Sequence, residues 1–148
     1  MIIEKMTASH LHEVKLLQCE WEDENITYGV IAGTVEQIAE GLSPFCYIVK
    51  EKDKFIAYLM AEVKYGNEYC VFPTGVSFIE VYDLFVTKDY RSCGIGGKLL
   101  RHCEQEAFSA GIKHMLLSSA TKDSETVRNF YTNNDYSIWT TQFFKNLC

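Results

Sequence analysis

Hydrophobic residues recur every three to four positions in four parts of the chain, which is the spacing of one buried helix face. The first helix follows a cap within residues 7–9, where Thr or Ser can accept a backbone hydrogen bond. A second helix begins after Thr34 and ends before Pro44. The other two predicted helices cover residues 94–110 and 124–133.

Apolar runs separated by turn residues predict seven strands around these helices. The strands cover residues 1–6, 45–50, 54–65, 76–87, 112–119, 136–140 and 143–147. Residues 51–53 join the second and third strands as a hairpin. No repeat, low-complexity tract or linker divides the sequence, so we expect one domain, 1–148, of the mixed α/β class.

The composition is typical of a globular protein, because 47% of the 148 residues are hydrophobic and 23% are charged. This balance excludes collagen-like and disordered chains, and the length suffices for one sizeable core. No apolar run approaches the roughly 20 residues that span a bilayer, and no secretory leader pattern opens the chain. We therefore expect a cytoplasmic protein without a membrane partner. Its cysteines are expected to be reduced and mostly buried: Cys19, Cys46, Cys70, Cys93, Cys103 and Cys148.

The net charge of −6 argues against a general nucleic-acid binder, which needs a basic face. Residues 1–74 carry 12 acidic and 6 basic side chains, whereas residues 75–148 carry 8 of each. Either these charges are scattered over solvated faces, or the two halves hold a cationic and an anionic ligand side by side. The four histidines have no metal-ligand spacing, so a metal is not expected.

The most informative segment is 79–100, where an apolar strand leads through a basic turn into glycines at a helix start. Glycine lets the backbone approach a ligand closely, and free N–H groups and the helix dipole favour an anion there. Arg91 and Lys98 add positive charge, so the turn suits a pyrophosphate. Nucleotide-binding motifs fit poorly, because Leu99 stands where a P-loop needs Ser or Thr and where a Rossmann fingerprint needs glycine.

Residues Arg91-Ser92-Cys93-Gly94-Ile95-Gly96 match R/Q-x-x-G-x-G/A, the signature of the GNAT acetyltransferases, which the chain resembles. Residues 124–136 resemble that family's second motif, N-x-x-A-x-x-L/F-Y-x-x-x-G-F. Phe130 and Tyr131 match its central pair and Tyr136 its final aromatic residue. The departures are Ser124, Val127 and Asp135. The last departure is mild, because Asp tolerates the left-handed backbone conformation better than most residues.

The resemblance implies the GNAT-like fold, with about seven strands in a mixed, mostly antiparallel sheet flanked by about four helices. It also implies direct transfer of an acetyl group from acetyl-coenzyme A (acetyl-CoA) to a primary amine, without a metal. In this family the fourth and fifth strands splay apart around the pantetheine arm. Cofactor contacts are thereby implied for Leu84, Phe85, Val86, Arg91, Ser92, Cys93, Gly94, Ile95, Gly96, Gly97, Lys98 and Ser124.

Two side chains are candidates for catalysis under this resemblance. Tyr131 would protonate the leaving thiolate, although helical spacing alone makes it a core aromatic residue. Glu80 lies in an apolar strand and would deprotonate the amine through water, or it forms a structural ion pair. Asp83 would orient the amine, and strict alternation places it opposite Glu80 unless a bulge shifts the register.

Acidic and aromatic residues near the end of the first helix suit a cationic acceptor through charge pairing and cation–π contact. They are Glu20, Trp21, Glu22, Asp23, Glu24 and Tyr28, of which Trp21, Glu22 and Tyr28 are the substrate-site candidates. A small amine such as an aminoglycoside or a polyamine fits this composition. A hydrated helix end is the other interpretation.

Three other functions are consistent with the sequence. A protein lysine or N-terminal acetyltransferase would use the same fold on a peptide, and a non-catalytic acyl-CoA-binding module would bind the cofactor without turnover. A nucleotide-binding regulator would instead hold ATP or NAD at the glycine turn. The last two predicted strands, with Trp139, Phe143 and Phe144, offer an edge at which two copies can pair as a homodimer.

Overall fold

One mixed sheet organises the chain in a computed structural model that describes residues 1–147. Its strands are β1 (Ile2–Lys5), β2 (Tyr47–Glu51), β3 (Lys54–Tyr65), β4 (Ser77–Val86) and β5 (Met115–Leu117). They lie side by side in the order β1-β2-β3-β4-β5. The first three pairings are antiparallel and β4–β5 is parallel, so the expected mixed, mostly antiparallel sheet is confirmed.

Four α-helices flank the sheet, as predicted. They are α1 (Leu11–Glu24), preceded by a 3₁₀ turn at Ala8–His10, then α2 (Val35–Glu40), α3 (Ile95–Ser109) and α4 (Ser124–Asn133). The predicted cap of α2 is confirmed, because Thr34 Oγ1 accepts from the Gln37 backbone N–H at 3.2 Å. No helix within residues 1–147 is both long and apolar enough to cross a membrane.

The sheet is covered on both faces. On one face, Leu59, Ile79 and Val81 pack with Leu99 and Cys103 of α3. On the other, Tyr58, Met60 and Phe85 pack with α1 and α2 in a second cluster that contains Val14, Leu17 and Ile38. We call these the α3 face and the α1 face. Burial on both faces explains the unbroken apolar run of β3, since a strand with two covered faces needs no polar alternation.

A bulge interrupts β4 opposite Met60 and Ala61 of β3. Met60 pairs with Asp83 while Ala61 pairs with Val81, so Tyr82 is the extra residue. The extra residue reverses the alternation and turns Asp83 to the α1 face, where it meets Tyr58. Glu80 lies on the same face, because its register partner Glu62 is two residues beyond Met60 on β3. Both carboxylates therefore face α1, the outcome expected only with a bulge.

The two closing strands predicted at 136–140 and 143–147 are wrong, and the sheet within residues 1–147 has five strands. The strand-forming sequence there does not pair with the chain's own sheet. A strand forms only when another strand satisfies its backbone groups, which local propensity does not provide.

The cysteine prediction is confirmed only in part. The five cysteines within the described residues are free thiols, but only Cys46 and Cys103 are buried. Cys93 is exposed, and Cys19 and Cys70 are half-buried. Cys148 lies outside the described residues.

Candidate active site

An opening between β4 and β5 is the first component of the site. The two strands pair only from Ile79–Met115 to Val81–Leu117. Residues Asp83 to Val86 continue to pair with β3 on the other side. Among residues 1–147, the β5-facing backbone edge of β4 is therefore free of strand pairing beyond Val81. This is the divergence of the fourth and fifth strands that the resemblance implied.

The turn from β4 into α3 provides a row of free backbone donors. Gly94 is the N-cap residue of α3 and adopts the left-handed conformation (φ +76°), as does Ser92 (φ +60°). The first helical hydrogen bond runs from the Lys98 N–H to the Gly94 carbonyl at 3.0 Å, so the amides of residues 95–97 have no acceptor within the helix. No side chain caps this end and no acidic residue occupies its first turn. A 15-residue helix with such an end favours an anion.

Two glycines bring α3 close to α4. A Cβ atom added at Gly96 would lie 3.0 Å from Phe130 Cζ, and one added at Gly97 would lie 2.9 Å from Asn134 Oδ1. Real side chains almost never approach so closely, so glycine at these positions allows the packing of α4 on the start of α3. Tyr131 of α4 packs on the same core cluster as Leu84 and Val86 of β4.

Tyr131 lies in an apolar, aromatic environment. Its ring meets Phe130 edge-to-face at 5.0 Å and Tyr136 at 5.9 Å between centroids. Burial raises the pKa of its hydroxyl to about 12. The phenol is therefore protonated at neutral pH, which is the state from which it can donate a proton. The left-handed backbone expected at Asp135, just after α4, is also present (φ +67°).

The Arg91 side chain is occupied by contacts within the protein. Its two terminal nitrogens donate to Glu24 Oε2 at 2.7 Å and Oε1 at 2.6 Å, and its Nε donates to the Val86 carbonyl at 2.9 Å. The guanidinium also lies over the Phe85 ring, which stacks on Trp21 at 5.3 Å. This contact set fixes the end of α1 to the end of β4 and to the glycine turn. The Arg91 guanidinium is therefore paired within the protein and is not a free positive charge beside the glycine turn.

Replacing Glu24 with Gln is expected to lower the free energy of unfolding by about 1–2 kcal/mol. The amide nitrogen of Gln would face a guanidinium N–H, so one of the paired donors loses its acceptor. Urea denaturation monitored by Trp fluorescence measures the change. Asp23→Asn is the matched control, since it removes the same charge one residue earlier at an exposed position. Equal effects of the two variants would contradict the importance of this ion pair.

The two carboxylates of β4 have different environments. Asp83 Oδ2 accepts from the Tyr58 hydroxyl at 3.0 Å and from Gln18 Nε2 at 3.2 Å. Burial raises the pKa of Asp83, although these two hydrogen bonds act in the opposite direction. Glu80 is less enclosed, and its Oε2 lies 3.0 Å from Lys64 Nζ. This ion pair raises the pKa of Lys64, with Glu62 contributing at 3.4 Å.

The predicted acceptor residues lie near the end of α1, and each of them contacts another residue of the protein. Trp21 Nε1 donates to Thr27 Oγ1 at 3.0 Å, in addition to its stacking on Phe85. Glu22 Oε2 accepts from the Ala32 N–H at 2.8 Å, which leaves its other oxygen free of this bond. Tyr28 is half exposed, and Lys122 Nζ lies 5.2 Å from its ring centre. A cation–π contact with an amine at Tyr28 would therefore compete with Lys122.

Two residues that support the site, Gln18 and Tyr58, were not singled out from the sequence, and Glu24 was named only among the acidic residues near the end of the first helix. Gln18 and Tyr58 hold Asp83, and Glu24 holds Arg91. The position of Tyr58 carried a weak signal, since it is a polar-tipped residue inside an apolar strand. The pairing of Glu24 with Arg91 carried none, because 67 residues separate them.

Ser124 and the remaining predicted cofactor residues lie at the helix starts. Ser124 is the first residue of α4 and is exposed, next to the cap Asp123, whose Oδ1 accepts from the Thr126 N–H at 3.2 Å. Cys93 and Lys98 are exposed beside the glycine turn. Within the described part of the chain, no three His, Cys, Asp or Glu side chains come together as a candidate metal site.

Three solved structures are similar to this chain in fold. The solved structure of an aminoglycoside acetyltransferase from an uncultured soil metagenomic sample, in complex with sisomicin, has a TM-score of 0.73 at 18% identity and covers 99% of this chain and 96% of its own. The structure of the aminoglycoside N-acetyltransferase AAC(6′)-Iy in complex with CoA has a TM-score of 0.71 at 14% identity, and the match covers 99% of this chain and 100% of that one. The structure of glucosamine-6-phosphate N-acetyltransferase from Arabidopsis thaliana has a TM-score of 0.69 at 16% identity, and the match covers 99% of this chain and 98% of that one. At these identities the similarity shows the fold.

No curated protein sequence is significantly similar to the chain. The sequence profile of the Acetyltransferase (GNAT) family matches residues 10–136, which span the chain from the start of α1 to the end of the second motif. The matched residues include the diverging strands β4 and β5, the glycine turn and Tyr131. The chain belongs to the GNAT family of acetyltransferases and is an acetyl-CoA-dependent N-acetyltransferase.

Proposed function

We propose that this enzyme acetylates a small cationic amine of the aminoglycoside or polyamine type by direct attack on acetyl-CoA. The observation that carries the proposal is the bulge in β4, which turns Asp83 to the α1 face, where Glu80 also lies. The α1 face also carries the acidic end of α1. The free donors of the glycine turn and Tyr131 belong to the opposite, α3 face. An anionic cofactor and a cationic acceptor can therefore reach the β4–β5 opening from opposite sides.

On the α3 face, the backbone would hold acetyl-CoA. The amides of residues 95–97 suit the pyrophosphate, and the exposed Lys98 adds one positive charge beside them. The unpaired edge of Leu84, Phe85 and Val86 suits the pantetheine arm, as an added strand would. One N–H of this edge would polarise the thioester carbonyl, and losing such a donor typically costs about 3 kcal/mol of transition-state stabilisation.

On the α1 face, Glu80 would accept the proton of the attacking amine through water. Glu80 Oε2 lies 3.0 Å from Lys64 Nζ, and this ion pair holds the carboxylate on the α1 face. Asp83, held by Tyr58 and Gln18, would orient the amine. As the carbon–nitrogen bond forms and the carbon–sulfur bond breaks, Tyr131 would give its proton to the departing thiolate.

Replacing Glu80 with Gln is expected to lower kcat about 100-fold near neutral pH and to remove the acidic limb of the pH–rate profile. A base works only when ionised, so in the parent enzyme the rate falls as the pH falls. Glu62→Gln is the matched control, because Glu62 pairs with Glu80 across the strands and contacts the same lysine. An unchanged profile in Glu80→Gln, or an equal loss in Glu62→Gln, would show that Glu80 is structural.

The acceptor class is tested by thiol release from acetyl-CoA in the presence of an aminoglycoside, a polyamine, free amino acids and lysine-containing peptides. Mass spectrometry identifies which acceptor gains one acetyl group. We expect kcat/KM for the polycationic small amines to exceed that for peptides at least 10-fold. A preference for peptides would support a protein acetyltransferase, and tight acetyl-CoA binding without turnover would support a binding module. Either result would overturn the proposed acceptor.

A further inference from the structure

Gln18 of α1 uses both ends of its side-chain amide. Its Oε1 accepts from the Gly33 N–H at 2.9 Å, and its Nε2 donates to Asp83 Oδ2 at 3.2 Å. The Gly33 contact fixes the orientation of the amide, because a backbone N–H needs an oxygen opposite it. The nitrogen is therefore directed at Asp83, and one side chain joins the segment before α2 to the carboxylate of β4.

The segment before α2 is fastened to α1 at two successive backbone amides. The N–H groups of Ala32 and Gly33 donate to Glu22 and Gln18, which lie one helical turn apart on α1. A Cβ atom added at Gly33 would lie 3.4 Å from Gln18 Oε1 and 3.4 Å from Ile38 Cγ1. The segment therefore lies directly against Gln18, and a displacement of either would break the contact.

The bulge in β4 also holds the other end of α2. The hydroxyl of Tyr82, the extra residue of the bulge, donates to the Gly41 carbonyl just after α2. A Cβ atom added at Gly41 would lie 2.7 Å from that hydroxyl oxygen, so a side chain there would displace the ring. Tyr82 thus contacts the end of α2 directly, whereas Asp83 reaches the segment before α2 only through Gln18.

Asp83 has one oxygen that the protein holds and one that these contacts leave available. Gln18 Nε2 and the Tyr58 hydroxyl both donate to Oδ2, and Oδ1 accepts from neither of them. Burial raises the pKa of Asp83, and the two hydrogen bonds act in the opposite direction because they stabilise the ionised form. Loss of either donor would therefore favour the protonated carboxyl.

The elements around Asp83 carry other titratable side chains on or near the α1 face. They are Tyr58, Glu62 and Lys64 of β3, Glu80 and Tyr82 of β4, Glu22 of α1, and the exposed Glu36 and Glu40 of α2. Burial raises the pKa values of Tyr58 and Tyr82, so both phenols are neutral near pH 7. None of the charged groups is among the causes that set the pKa of Asp83.

From this arrangement we infer that Gln18 is a positioning residue for the acceptor: it holds Asp83 Oδ2 and the Gly33 backbone together, and so presents Asp83 Oδ1 to the amine. The inference rests on the proposed function, in which Asp83 orients a cationic amine. Gln18 carries no charge and acts through Asp83, so its effect falls on the binding of the amine. The cofactor side of the site does not depend on it.

Gln18→Met tests the inference, because Met has a similar length and lacks the amide donor. Without this donor Asp83 is protonated at a higher pH, and a protonated carboxyl attracts an ammonium group less. With spermidine or sisomicin as the acceptor, KM should rise about 10-fold near neutral pH while kcat stays within 3-fold. The rise should shrink as the pH increases and Asp83 ionises in the variant as well. Gln18→Asn keeps the amide but is too short to reach both partners, and should behave in the same way.

A double-mutant cycle and a titration show whether Gln18 acts through Asp83. Asp83→Asn should raise KM at least 10-fold, and adding Gln18→Met to it should change KM less than 2-fold. Carbon-13 NMR follows the Asp83 carboxyl without an acceptor, and its midpoint should move to higher pH in Gln18→Met. Tyr82→Phe is the matched control: it releases the other end of α2 and should leave both the midpoint and the pH dependence of KM as in the parent.

The outcomes separate the inference from the function on which it rests. If the parent acetylates neither probe, or if Asp83→Asn leaves KM unchanged, the proposed acceptor site is wrong and the inference falls with it. If Asp83→Asn raises KM but Gln18→Met moves neither the NMR midpoint nor the pH dependence of KM, the inference alone is overturned. Equal shifts in Gln18→Met and Tyr82→Phe would overturn it too, because Gln18 would then only support α2.

Discussion

Tyr131→Phe is expected to lower kcat at least 100-fold while leaving the Kd of acetyl-CoA within 2-fold of the parent value. The substitution removes one hydroxyl and keeps the ring that packs against Phe130 and the α3-face core. Because burial raises the pKa of Tyr131 to about 12, the hydroxyl is protonated throughout the usual assay range. If Tyr131 protonates the leaving thiolate as proposed, its loss should appear in kcat and not in cofactor affinity. Single-turnover rates and calorimetric binding measure the two quantities separately.

Tyr136→Phe is the matched control for that experiment. Tyr136 packs against Tyr131, and its hydroxyl donates to Glu104 Oε1 at 2.9 Å. Removing this hydroxyl is expected to cost about 1–2 kcal/mol of stability and little activity. If the two variants lose the same fraction of kcat, Tyr131 acts through packing and not as the acid. Because its pKa is about 12, Tyr131 does not ionise between pH 8 and 10. Ionisation of Tyr131 should therefore cause no loss of kcat in the parent enzyme over this range.

Gly96→Val is expected to raise the Kd of acetyl-CoA about 30-fold, which corresponds to about 2 kcal/mol. The Cβ atom of Val would lie 3.0 Å from Phe130 Cζ, so the ring and α4 must move away from the start of α3. The added methyl groups would also cover the free amides of the first helical turn. Calorimetric titration with acetyl-CoA measures the loss, and circular dichroism confirms that the variant is folded.

Cys93→Ala provides the control for the glycine variant. Cys93 is exposed in the same turn, and its thiol points to the Arg91 carbonyl with an Sγ–O distance of 3.5 Å. If backbone amides rather than side chains bind the pyrophosphate, Kd should change less than 2-fold. A 10-fold or larger loss in Cys93→Ala would show that the thiol takes part, and an unchanged Kd in Gly96→Val would show that the cofactor binds elsewhere.

The parts of the fold that depend on local signals could be predicted from the sequence. The cap at Thr34, the bounds of α4 and the left-handed conformation of Asp135 all follow from the conformational preferences of a few adjacent residues. The glycine turn at the start of α3 belongs to this group, because its conformation depends on residues that are adjacent in the sequence.

The parts that depend on distant pairing could not be predicted. The Glu24–Arg91 ion pair joins the end of α1 to the glycine turn across 67 residues, and no local pattern distinguishes Glu24 from its acidic neighbours. The sequence predicts the bulge at Tyr82 only as one of two possibilities, because β4 buries apolar residues whether or not a bulge shifts its register. The closing strands failed for a related reason: residues 136–147 have strand propensity, but the partner strand decides whether they form one.

The central claim is direct acetyl transfer in a site that combines a backbone-bound cofactor with an amine held on the α1 face. Initial rates over a grid of acetyl-CoA and amine concentrations, with the intact mass of the enzyme recorded during turnover, test it most directly. The account predicts intersecting double-reciprocal lines and an enzyme that carries no acetyl group. Parallel lines together with an acetylated enzyme, modified at the exposed Cys93 of the glycine turn, would contradict it.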